Sequence, residues 1–137
     1  MIFRDVAHDR RLVLVRLGAG AHFRHMVADF ADLVQREPVV ATYDYICDLT
    51  EFCGDAFAAD VGAIATAYAP HASRAATYTC FATPDPHFHL WARAMDELFR
   101  GRSHRVFPTP RNCLDFLEQV RSGPGRAIRR PSLLVSG

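Results

Sequence analysis

The sequence predicts an α/β domain with one mixed, mostly parallel sheet of five strands and four helices, in the order β-β-α-β-α-β-α-β-α. Three observations carry this expectation. Short runs rich in Val, Ile, Thr, Tyr and Phe alternate with longer stretches whose apolar residues recur at steps of three and four, the respective signatures of strands and amphipathic helices. Pro38, Pro70, Pro86 and Pro110 stand at the junctions between these runs, where proline ends or opens a helix. Residues 43–68 read as a buried strand, a polar loop and a helix, the repeating unit of a parallel sheet.

The first two strands are expected at 2–7 and 11–17. They are joined by His8-Asp9-Arg10, a hairpin-length connection. Val13, Val15 and Leu17 alternate with Leu12, Leu14 and Arg16, so the second strand reads as central and covered on both faces. Gly18-Ala19-Gly20 ends it. A helix follows over 22–36, with Phe23, Met26, Val27, Phe30, Leu33 and Val34 forming its buried stripe.

The third strand, 43–49, is the centre of the reading. Tyr43, Tyr45, Cys47 and Leu49 face one way, and Asp44, Ile46 and Asp48 the other. The loop 50–57 leads into a helix from about residue 59 to 68, with Val61, Ile64, Ala65 and Tyr68 inward. A fourth strand is expected at 75–81. Asp85 as cap and Pro86 as first residue then open a helix whose stripe is Phe88, Trp91, Ala92, Met95, Leu98 and Phe99. A short strand at 104–107 precedes a last helix capped by Thr109 and opened by Pro110, burying Cys113, Leu114, Leu117 and Val120. The domain is expected to span 1–120. Residues 121–137, with Arg126, Arg129 and Arg130 among Pro and Gly, read as a solvated tail.

With 137 residues, the chain is one domain long and can bury about two-thirds of its unfolded surface without staples. All sixteen basic residues are Arg, and the net charge is only +1, so nothing calls for nucleic acid or an acidic membrane as partner. Cys47, Cys53, Cys80 and Cys113 lack Cys-x-x-Cys spacing; they read as reduced thiols in a cytoplasmic protein. No apolar run approaches the roughly 20 residues of a membrane-spanning helix.

Three segments, with their order, resemble the STAS domain in its SpoIIAA-like branch of small bacterial proteins. Arg11-Leu12-Val13-Leu14-Val15-Arg16-Leu17-Gly18 is similar to the second strand and its glycine. Ile46-Cys47-Asp48-Leu49-Thr50 is similar to the strand end before the recognition loop. Arg105-Val106-Phe107-Pro108-Thr109, followed by Leu114-Asp115-Phe116-Leu117, is similar to the closing strand and helix. The resemblance covers roughly 2–120 and implies a non-enzymatic module that binds a partner protein. In the anti-sigma-factor antagonists of this family, a hydroxyl at the start of the second helix is phosphorylated. The matching window here, Ala56-Phe57-Ala58-Ala59-Asp60, has no hydroxyl, so no phosphoswitch is expected. A partner docking on this loop would meet Phe52 and Phe57 as apolar contacts and Thr50, Glu51, Asp55 and Asp60 as polar ones. A related lipid-carrier family implies the alternative, a carrier or sensor holding a small apolar or anionic ligand beneath the helices. Homodimerisation is compatible with this reading, although no feature argues for it.

Chemistry-bearing residues are sparse in pattern. His22 and His25 share a helix face, but a third and fourth metal ligand do not follow at diagnostic spacing, and His71, His87 and His89 could approach only through the fold. No metal or other cofactor is expected. Asp85, His87 and His89 could serve as acid and base in a hydrolase or lyase, yet Asp85 already has a capping role. Cys53 beside Gly54 is the best-placed thiol, without an evident base. Gly18-Ala19-Gly20 is followed by Phe23 where a dinucleotide fingerprint needs glycine. Asp44 and Asp48 share a face of the central strand. The plain expectation is that Asp48 holds the following loop and Asp44 meets solvent.

Overall fold

The computed structural model describes residues 2–54, 58–72 and 76–122. Five strands, β1 (Ile2–Ala7), β2 (Leu12–Leu17), β3 (Asp44–Asp48), β4 (Thr77–Ala82) and β5 (Arg102–Phe107), form one sheet in sequence order. β1 is antiparallel to β2, and β2 to β5 are parallel. The helices are α1 (Phe23–Arg36), α2 (Ala58–Tyr68), α3 (Phe88–Leu98) and α4 (Pro110–Arg121). The expected element order and mixed sheet are therefore present.

Each crossover from β2 to β5 steps to the next strand in the same direction. Right-handed crossovers that never reverse direction place α1, α2 and α3 on one face. That face holds the larger core, where Val13, Leu17, Phe23, Leu33, Tyr68, Phe81 and Phe88 are essentially sealed. α4 follows the last strand and returns across the other face, closing a smaller core of Leu12, Ile46, Cys80, Ala82, Cys113 and Leu117. A single helix is too narrow to cover five strands. Leu14 is 39% exposed and Phe3 54% exposed, with the Arg16 guanidinium over the Phe3 ring. β2 is thus covered fully on one face only, which corrects the expectation of two-sided burial.

Local boundaries follow from capping. Arg11 takes a left-handed conformation (φ 52°) to close the β1–β2 turn. The His22 N–H donates to His25 Nδ1 at 3.0 Å, so this pair starts α1. Thr109 Oγ1 accepts the Asn112 N–H at 3.2 Å, and Pro110 opens α4, as expected. α3 begins at Phe88, two residues after the expected Pro86, because Asp85 Oδ1 accepts the His87 N–H and holds a tight turn there. Leu98, expected in the buried stripe, is 54% exposed at the end of α3. Arg121 is the last residue of α4. Its guanidinium grips Asp44 through Nε at 2.8 Å and Nη2 at 2.6 Å. Asp44 also accepts the Tyr78 N–H and is buried, so it is an ion-paired tie between α4 and the sheet. Of the expected tail, only residues 121 and 122 lie within the described residues.

The largest departure is β5, which starts at Arg102 instead of 104. Arg102 is 5% exposed. Its guanidinium donates to the carbonyls of Ala41 (2.9 Å), Tyr43 (2.6 Å) and Tyr78 (3.0 Å) and to Thr79 Oγ1 (2.9 Å). Arg102→Met should leave these acceptors without their donor. An unmet buried acceptor costs about 1–3 kcal/mol, so urea unfolding should register a loss of at least about 3 kcal/mol. Arg102→Lys should recover less than half of it, since an ammonium lacks the fork. A loss below about 1 kcal/mol for Arg102→Met would show that the carbonyls do not depend on this side chain.

Candidate functional site

The feature with most chemical content lies between the sheet and the α1–α3 layer. Strand register brings Val15, Cys47 and Phe81 into one row across the sheet, and Tyr45, Thr79 and His104 into the next. α1 lays Met26, Phe30 and Leu33 over these rows, while Ile64 of α2 and Met95 of α3 close the remaining sides. The surfaces do not meet fully, and they leave a cavity of about 50 Å³. Its lining is largely apolar, with polar groups supplied by Tyr45, Thr79, Arg102, His104 and Asp29.

Tyr45 is 6% exposed, and its hydroxyl is buried with no hydrogen-bond partner among the described residues. Buried phenols usually find a partner. Phe30 packs edge-on against its ring, and the Arg102 guanidinium lies 5.2 Å from the ring centroid. Burial, opposed by Arg102, pushes the Tyr45 pKa well up, so the phenol stays protonated and is a donor. Arg102 is also over the Tyr68 ring. Burial draws its pKa down against the opposing influence of Tyr68 and Tyr45, yet a guanidinium remains charged at neutral pH. Asp29 is held by an ion pair with Arg4 at the partly exposed edge of the cavity.

His104 is sandwiched by aromatic rings, stacked on Phe81 at 6.2 Å and edge-on to Phe99 at 4.8 Å. Its Nδ1 lies 3.0 Å from Asp96 Oδ1, which also accepts the His104 backbone N–H at 2.6 Å. Cys47 is buried, and that burial raises its thiol to about 12. Cys80 is pushed up by a hydrogen bond with Cys113 and by burial. Neither Cys47 nor Cys80 has the thiolate character a nucleophile needs.

The loop singled out in the sequence is arranged differently from a free apolar patch. Thr50 and Glu51 are exposed, but Phe52 is half-buried and packs on Phe23 with ring centroids 6.4 Å apart. A Cβ on Gly54 would come within 2.9 Å of the Phe52 ring, so glycine is what lets this ring tuck inward. Asp48 Oδ1 accepts both the N–H and hydroxyl of Thr50, at 3.0 and 2.6 Å, the loop-holding role expected of it. Asp60 is half-buried at the start of α2. Asp55 and Phe57 lie outside the described residues. Cys53 is exposed and its thiol reaches only the Glu51 carbonyl at 3.6 Å.

The histidines divide between local roles. His25 caps α1, and His87 pairs with Asp85 at 3.1 Å in the turn before α3. Among the described residues no group of three or more His, Cys, Asp or Glu is placed to hold a metal ion. Asp44 and Asp48 do not act as a pair, since each is satisfied by a different partner. Sequence reasoning missed Arg102 and His104 as cavity residues. The available signal was their two-residue spacing before Val106, which continues the inward face of β5. Comparison with family models, with curated proteins and with solved structures finds no match for this chain.

Two outcomes test this geometry. Tyr45→Phe removes an unpartnered buried hydroxyl and should leave stability unchanged or raise it by about 1 kcal/mol. A loss above about 1 kcal/mol in urea unfolding would mean that the hydroxyl has a partner in solution. For His104, burial is the largest influence and lowers the pKa; Asp96 opposes it, and Arg102 and Arg105 add to the lowering. Below about pH 6.5 the unfolded histidine takes a proton that the folded one refuses, so stability falls with pH from there toward the depressed folded value. His104→Leu should therefore lose less stability than the parent protein between pH 7 and pH 5. Parallel pH profiles of the two would contradict a neutral buried imidazole.

Proposed function

We propose that this chain is a non-enzymatic binding module, a carrier or sensor that holds a small, mainly apolar molecule between the sheet and the α1–α3 layer. The observation that carries the proposal is the unpartnered hydroxyl of Tyr45, a residue that lines a largely apolar cavity. An apolar void alone is a packing defect of a kind domains tolerate. A buried donor beside it supplies a preference for a bound molecule with an acceptor, and a ligand site combines an apolar wall with few polar anchors. Met26 and Met95 on opposite sides add pliability, since unbranched thioethers repack readily around different shapes.

The alternative of a STAS-like protein-interaction module, without a phosphoswitch, draws on the exposed Thr50 and Glu51 beside the end of β3. The inward packing of Phe52 removes one of its two expected apolar contacts, so the cavity is the better supported site. The two uses are compatible in a sensor, because Phe52 touches Phe23 of α1, and α1 also roofs the cavity.

Methyl NMR of methionine-labelled protein under xenon pressure tests the proposal. Xenon is small and apolar enough to enter such a void. The Met26 and Met95 methyl signals should shift together and saturate, and Ile64→Phe, which fills the space, should abolish the response. Met26 and Met95 signals that stay fixed while surface signals move would overturn the cavity as a ligand site.

A further inference from the structure

We propose that the exposed side of α3 is a self-association surface, on which two copies of this chain pair antiparallel about a two-fold axis near Ala94. This pairing is independent of the cavity, to which α3 contributes Met95 from its inner side.

Leu98 is 54% exposed and Leu90 is 66% exposed. The exposed Ala94 stands between them, four residues from each along α3, so the three form one row on the helix surface. Half-buried Trp91 borders the row on the side nearest the core. Single exposed leucines are ordinary, but two in line across a short side chain make an apolar seam. α3 packs on α2 and on β5, the edge strand of the sheet, and so closes its layer.

Charge selects a second copy as the occupant. The other border of the row carries Arg93 and Glu97, both exposed, and neither forms an ion pair among the described residues. Arg four residues before Glu is the weaker orientation for pairing within a helix. Antiparallel pairing about a two-fold axis brings the two charged borders together. An axis at Ala94 sets Leu90 level with Leu98 of the second copy, and Arg93 within about 3 Å of its Glu97 along the helix, at 1.5 Å rise per residue. Symmetry then makes each ion pair twice. Parallel pairing would set the charged border against Trp91 instead. The 11 residues of α3 make a contact well short of the roughly 800 Å² per partner of a standard interface. The dimer is therefore weak, with a Kd on the order of 100 μM.

Sedimentation equilibrium of the full chain, from about 10 μM to about 1 mM, tests the pairing. Leu90→Ser combined with Leu98→Ser should weaken association at least about tenfold. Arg93→Glu alone and Glu97→Arg alone should each weaken it about threefold or more. An equimolar mixture of those two charge variants should return to within about twofold of the parent affinity, because opposite charges then face each other in the mixed dimer. All four positions are exposed, so the variants keep the fold. A monomer throughout the range, association that survives the two serine substitutions, or charge variants that do not recover on mixing would overturn the proposal.

Discussion

A positive charge in the interior of this domain constrains everything near it. Arg102 enters the sheet at the first residue of β5 and reaches past β4 to the chain leading into β3. It can remain there only because the carbonyls of Ala41, Tyr43 and Tyr78 converge on it. The Ala41 and Tyr43 carbonyls come from the short helical turn at residues 38–42 and the residue that follows it. One guanidinium therefore links the turn after α1, the entrance of β3, and β4. The same requirement keeps this end of the helix-covered face polar where the rest is apolar, and the cavity lies along that boundary.

Winding in one direction has a second consequence. Open α/β sheets usually place ligands in the crevice where strand order reverses. Strand order here runs from β1 to β5 without reversal, so no such crevice forms at the carboxyl end of β3. The loop after β3 is instead held flat by Asp48 on Thr50 and by Phe52 against Phe23. The cavity lies instead between layers, where helix side chains fail to fill the sheet surface.

Much of the fold was legible in the sequence, because periodicity and capping act locally. The stripes of α1 and α2, the Thr109–Pro110 start of α4 and the pairing of the first two strands all follow from neighbours a few residues apart. Long-range satisfaction was not legible. Arg102 fell between the expected third helix and the expected strand at 104–107, and an arginine is ordinarily exposed; its burial depends on carbonyls about sixty positions earlier. Asp44 looked half-solvated because its partner, Arg121, stands 77 residues away. The two-sided burial assigned to β2 failed for a geometric reason. The run Leu12 to Val15 is apolar on both faces, but only one helix serves the second face. For the candidate site, the resemblance directed attention to residues 50–60, whereas the orphaned hydroxyl is a property of packing that no local pattern encodes.

The most direct measurement is a crystal structure of the protein under xenon pressure. The account predicts xenon density between Tyr45 and Met95. Density confined to the surface around Thr50 and Glu51, with the space between the sheet and the helices unfilled, would contradict it.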